Sequence, residues 1–282
     1  MTKFPLFTIL VLLCSLAACG KTDHDSHDAG AHDHTNGEEH DHSGDNEHVD
    51  RSQHLVHFTD QSELFLQYET LVAQRDSIFL AHLTDLSDYT PIPGGFITVT
   101  LSGDGAPEET FSGKRPVRAG IHIEVVIPQH AGKRQLTLQL HTPERTLTHE
   151  LGSVTVYSNN AESKNIAPRH RPENSTYLDK EAQWQAEIMI QTPTLNEQQQ
   201  LMLPASAIHQ SNNKHYLFVM KGAEFFEKRE VTIGNHRHSP VIIVAGITAG
   251  EHVVIRGGHV LLGNQEGTAT EMVTTDDTKH HH

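Results

Sequence analysis

Ile97-Thr98-Val99-Thr100-Leu101-Ser102 alternates apolar and polar side chains without a break. A period of two is the signature of a strand with one face buried and one face wet. The same alternation recurs on both sides: Leu64, Leu66 and Tyr68 upstream, then Ile121, Ile123 and Val125, then Leu136, Leu138 and Leu140. Pro91-Ile92-Pro93-Gly94-Gly95, Gly103-Asp104-Gly105 and Ala131-Gly132 separate these runs with turn chemistry. Roughly seven or eight short strands at this spacing predict an antiparallel, immunoglobulin-like sandwich over residues 53–158. The pattern does not give the strand order.

Further along, residues 159–185 read as a linker with a short helix. Asn159 to Lys164 and Pro168-Arg169-His170-Arg171-Pro172 are polar and proline-punctuated, and Leu178 to Trp184 holds mostly good helix formers. Glu187 to Gln191 suits one strand. Residues 186–267 then return to β: Tyr216-Leu217-Phe218-Val219-Met220 is a compact apolar strand, and Val231 with Ile233, Val241 to Val244 and Val253 to Ile255 mark three more. Gly222, Gly234, Gly246, Gly250 and Gly257-Gly258 supply the turns. The fold class expected is therefore all-β, a sandwich followed by a smaller β unit. Residues 268–282 are polar and read as a loose tail ending in His280, His281 and His282.

The N-terminus carries the chemistry. Lys3 precedes an apolar run from Phe4 to Leu13 that is too short to span a bilayer, and Leu16-Ala17-Ala18-Cys19 follows. Residues 1–18 read as a lipoprotein signal peptide, with Cys19 as the acylated first residue of the mature chain. Cys14 leaves with the signal, so no internal disulfide is available. Residues 19–52 form a leader too polar to fold alone. Within 21–50 lie His24, His27, His32, His34, His40, His42 and His48 among ten Asp and Glu, with Lys21 the single cation. Imidazole and carboxylate together suit zinc, cobalt, cadmium, nickel or copper without selecting one. His32-Asp33-His34 and His40-Asp41-His42 are the tightest pairs, enough for one tetrahedral zinc.

The C-terminal unit resembles the end of the periplasmic adaptor subunits, or membrane fusion proteins, of resistance-nodulation-division (RND) efflux pumps. The resemblance rests on Leu203-Pro204-Ala205-Ser206-Ala207-Ile208, Tyr216-Leu217-Phe218-Val219, Phe225 to Gly234, Ala245 to Ile255 and Gly257-Gly258. It implies that this unit corresponds to the membrane-proximal domain, which sits against the inner-membrane pump. The sandwich is similar to the extra domain of the heavy-metal branch, through Phe79 to Leu86, Ile97 to Leu101, Gly120-Ile121-His122 and Leu151 to Tyr157. Adaptors of that branch often carry histidine-rich leaders. Family members also hold, between these regions, a lipoyl-like module split by a helical hairpin and most of a β-barrel. Here only Gln185 to Leu201 joins the two, with no amphipathic heptads.

The function expected is a lipid-anchored periplasmic protein of a Gram-negative bacterium. It binds heavy-metal cations as cargo and docks on an inner-membrane RND pump subunit; the alternative is a stand-alone metal-buffering or chaperone protein. A formal net charge of −15, most of it in the leader, argues against nucleic acid. No nucleophile elbow, phosphate loop or His-Glu-x-x-His helix is present, so no enzyme is expected. His54, His57, His82 and His122 sit in strand patterns and read as structural or surface residues. His236 and His238 read as loop residues, and Trp184 as a packing anchor.

Overall fold

The computed structural model describes residues 52–113, 115–164, 166–167, 169–234 and 240–267. Its first part is built from β1 (Gln53–Phe58), β2 (Ser62–Tyr68), β3 (Ser77–Asp85) and β4 (Phe96–Ser102). β5 (Glu109–Ser112), β6 (Ile121–Val126), β7 (Gly132–His141) and β8 (Thr146–Val156) complete it. Two antiparallel four-stranded sheets result, ordered β1-β2-β3-β6 and β5-β4-β7-β8. They are a sandwich, and the strand order is the part that periodicity leaves open.

The sandwich core follows from the alternation. Leu64, Leu66, Phe79, Ala81 and Leu83 of one sheet face Ile97, Val99, Leu101, Leu136, Leu138 and Leu140 of the other, all almost fully buried. Each such side chain contributes roughly 1.5–3 kcal/mol of transfer free energy. In β8 the inward set switches phase, from Leu147 and His149 to Val156. A register shift opposite Gln135 to Thr137 marks a bulge there, and Gly152 takes φ +77° in it.

One strand departs from expectation. The apolar set Ile121, Ile123 and Val125 does not face the core: Ile123 and Val125 are 45% and 46% exposed, while His122 and Val126 point inward. β6 pairs with β3 so that Ala81 meets His122 and Ile78 meets Val125. Ile78, Ile123 and Val125 thus share the outer face of the sheet. Ile121, on that same face, is buried because other residues cover that end of it.

After the sandwich come α1 (Asn160–Ser163), β9 (Ser175–Tyr177) and α2 (Lys180–Gln185). β10 (Met189–Gln191), β11 (Thr194–Leu195), β12 (Leu201–Leu203), a 3-10 turn (Ala205–Ala207) and β13 (His209–Ser211) follow. The last elements are β14 (Lys214–Gly222), β15 (Phe225–Ile233), β16 (Val241–Ala245), β17 (Val253–Arg256) and α3 (His259–Gly267). Their strands make a sheet ordered β10-β17-β14-β15-β16-β12-β11, with β13 added to β14 and β9 to β15.

The middle of β14, Leu217 to Val219, is apolar at every position because both of its faces are covered. Leu217 and Val219 join Leu203, Val231, Val241, Ile243 and Val253 in one cluster. Phe218, between them, joins Leu178, Ile188, Ile190, Phe226, Val254 and Leu261 in another. Among the described residues no helix is long and apolar enough to cross a membrane.

Candidate functional site

The candidate site is the junction where α2 lies between the sandwich and the C-terminal unit. Asp179 caps α2, its carboxylate accepting from Ala182 N–H at 2.7 Å. Gln183 donates through Nε2 to the Leu178 and Ala223 carbonyls at 2.7 and 2.8 Å, and Lys180 N–H donates to Glu224 at 3.3 Å. These bonds fix the helix to the C-terminal unit. Its other side presents Lys180, Glu181 and Trp184 to the outer face of β2 and β3.

There the Lys180 ammonium donates to both carboxylate oxygens of Glu63, at 2.6 and 2.7 Å, and to Gln183 Oε1 at 3.1 Å. Both charged side chains are 2% exposed. Trp184 donates through Nε1 to Thr84 Oγ1 at 2.9 Å. His82 stacks on Phe65 with centroids 5.5 Å apart, and its Nε2 lies 3.7 Å from Glu181. From the C-terminal side, His252 stacks on Phe58 at 4.1 Å, and Ile190 accepts the Tyr89 hydroxyl at 2.6 Å.

Burial dominates the electrostatics of this junction. It pushes the imidazoles of His82 and His252 below their ordinary range, and the Glu224 carboxyl and Tyr89 phenol above theirs. Glu181 and Asp179 pull His82 upward while Lys180 opposes them; desolvation wins. What this arrangement can do chemically is hold two β units together through a charge pair that neither could tolerate alone.

Cys19 and the leader histidines His24, His27, His32, His34, His40, His42 and His48 lie outside the described residues, as do His236 and His238. Among the described residues no group of three or more His, Cys, Asp and Glu is placed to hold a metal. Of the strand histidines, His82 and His122 are buried, and His54 and His57 half-buried. His57 Nδ1 meets Nδ1 of the fully buried His149 at 3.0 Å, and His149 Nε2 meets Ser62 Oγ at 3.0 Å. Sequence reasoning missed Glu63, Lys180, His149 and His252. In the sequence Lys180 signals only a helix former.

The C-terminal unit has its own fastening. Arg229 clasps Glu227 through Nε (2.9 Å) and Nη2 (2.5 Å) and reaches Glu251 at 2.7 Å through Nη1. Glu251 in turn accepts from Thr248 N–H at 2.7 Å, which sets the turn before β17. Residues 201–272, which contain this clasp, match the CzcB C-terminal circularly permuted SH3-like domain. That match spans 72 of the chain's 282 residues, and over them the C-terminal unit is similar to that of CzcB-type membrane fusion proteins.

The chain is 28% identical over 160 residues to the multidrug resistance protein MdtA of Salmonella paratyphi C, covering 55% of its own length and 36% of the relative's. It is 33% identical over 82 residues to MdtA of Salmonella typhimurium, covering 29% and 19% respectively. It therefore spans only about a third of the length of the first of these relatives. Among solved structures it is similar to ZneB from Cupriavidus metallidurans, at 14% identity over 64% of this chain and 40% of that one, with a TM-score of 0.20.

Proposed function

We infer that this protein collects heavy-metal cations in the periplasm of a Gram-negative bacterium and assists their export by docking on an inner-membrane RND pump subunit. One observation carries this reading. A CzcB-type C-terminal domain occurs in the same chain as a leader of seven histidines and ten carboxylates within residues 21–50. A tether at Cys19 would hold that leader near the pump. A multivalent chelator held there raises the local concentration of its cargo at the pump. The cargo is zinc, cobalt, cadmium, nickel or copper, and the role is binding and docking rather than catalysis.

The test replaces His24, His27, His32, His34, His40, His42 and His48 by Asn in the full chain and measures bound zinc and zinc tolerance of cells. Imidazoles ligate only when neutral, so wild-type binding falls between about pH 7.5 and about pH 5.5. The variant loses both binding and tolerance. Unchanged zinc binding by the variant would contradict the leader as the metal site.

One observation favours a second reading. Only residues 186–200 lie between α2 and β12, and they hold β10 and the two-residue β11. With no hairpin there to reach an outer-membrane channel, the protein would act as a stand-alone metal buffer. Tolerance that persists in a strain lacking the pump would select this reading.

A further inference from the structure

We propose that the junction between the sandwich and the C-terminal unit is a proton-operated latch, closed while His82 and His252 are neutral and released when they take up protons. Each side contributes one of the two imidazoles. His82 stands on β3 of the sandwich, and His252 immediately precedes β17 of the C-terminal unit. Each is covered by a ring from the opposite side: His82 by Trp184 at 6.0 Å between centroids, His252 by Phe58 at 4.1 Å. Opening the junction exposes both at once.

The surroundings of His82 make a charge there costly. It is 4% exposed, and its Nδ1 has no hydrogen-bond partner among the described residues. β2 packs against it with the Phe65 ring and carries Glu63 two pairs further along; β6 opposes it with the uncharged Ile121. From α2, Asp179 and Glu181 favour its proton and Lys180 disfavours it. The Glu181 side chain is 41% exposed and 3.7 Å away, so water weakens its pull. His252 faces Phe58 of β1 and the carboxylate of Glu63, whose charge is already taken by Lys180. Its neighbour Glu251 points away, to Arg229 and Thr248.

The sign follows from linkage. Both imidazoles sit below their ordinary range in the closed form, because burial outweighs the nearby carboxylates. The open form therefore binds more protons. Closure is at full strength above about pH 6.5, and below that the closed-to-open ratio falls by up to about tenfold per pH unit for each histidine. With two, the limit is about a hundredfold per unit. Release leaves both units intact, since the sandwich core and the two C-terminal clusters share no buried member.

Trp184 is the sole tryptophan and lies inside the latch, so the full chain reports on itself. Its emission and acrylamide quenching are followed from about pH 7.5 to about pH 5. The expected result is a red shift with increased quenching in wild type and none in His82→Gln/His252→Gln. A flat wild-type profile, or a transition that survives in the double variant, overturns the proposal. Hydrogen exchange on wild type stands independently of whether that variant folds. On acidification Phe58 to Phe65 and Lys180 to Gln185 should lose protection together, and by more than Leu136 to Leu140 and Leu217 to Val219 do. Equal loss in all four segments would mean unfolding rather than release, and would sink the latch.

Discussion

The Lys180 ammonium sits 2.6 and 2.7 Å from the two carboxylate oxygens of Glu63, a residue 117 positions earlier in the chain. Two charges held out of water gain strongly from each other and are costly when separated. This pair is the firmest electrostatic link between the sandwich and the helix that carries the C-terminal unit.

Breaking it from one side leaves the other charge buried and alone. Glu63→Gln or Lys180→Met should each cost about 3–5 kcal/mol. The double variant Glu63→Leu/Lys180→Met should recover most of that loss, since apolar replacement of both partners removes the desolvation cost as well. Urea unfolding followed at Trp184 measures all three. Single losses below about 1 kcal/mol would place the pair among ordinary surface bridges.

Gly120 lies against the same junction, with φ +74°. A Cβ there would stand 2.6 Å from Pro91 Cβ, 2.9 Å from Trp184 Cη2 and 3.0 Å from the Leu83 carbonyl oxygen. Gly120→Ala should cost about 1–3 kcal/mol from backbone strain alone and displace the indole. A shifted tryptophan emission maximum at neutral pH, beside a lowered urea midpoint, is the expected signature.

Inside the sandwich, burial pushes His122 down to about 4, and burial with the neighbouring His57 does the same to His149. A histidine depressed in the native state binds fewer protons there than when unfolded. The stability concerned is present above about pH 6.5 and is lost by about 1.4 kcal/mol per pH unit for each group down to about pH 4. His122 Nε2 has no partner among the described residues. His122→Leu should therefore gain about 1–2 kcal/mol at neutral pH and flatten the acid limb. A pH–stability curve parallel to wild type would contradict this.

Arg134 is fully buried and donates to Glu109 at 2.9 Å and to the Leu101 and Pro107 carbonyls at 2.8 and 2.6 Å. It ties β7 to the loop before β5. Lysine cannot reproduce a planar fork that serves three acceptors. Arg134→Lys should lose about 2 kcal/mol or more, and Arg134→Met about 3–5 kcal/mol by stranding buried acceptors. Thermal unfolding gives both values.

How much of this is legible in the chain depends on which force acts locally. Ile97, Val99 and Leu101 announce a strand and its inner face because burial and periodicity agree there. Ile123 and Val125 show the same alternation and face outward, since pairing with β3 places His122 inside. Period-two patterning gives the two faces but not which of them is covered. Trp184 is readable as an anchor from its size; Thr84, its partner 100 positions earlier, is not. Lys180 and Glu63 resemble solvated charges until the tertiary fold brings them together. The short helix after Asp179 is visible as composition, whereas α3 is not, because its sequence His259 to Gly267 carries little amphipathic signal.

Metal export as proposed depends on docking. The most direct measurement is crosslinking of the full chain in native membranes, from photoreactive residues at exposed positions Leu195 and Val244 of the C-terminal unit, with and without added zinc. Recovery of an inner-membrane efflux pump subunit, increased by zinc, is the predicted result. Metal-loaded protein recovered with no pump subunit from either position would contradict docking and leave a periplasmic metal buffer that shares the adaptor's ancestry.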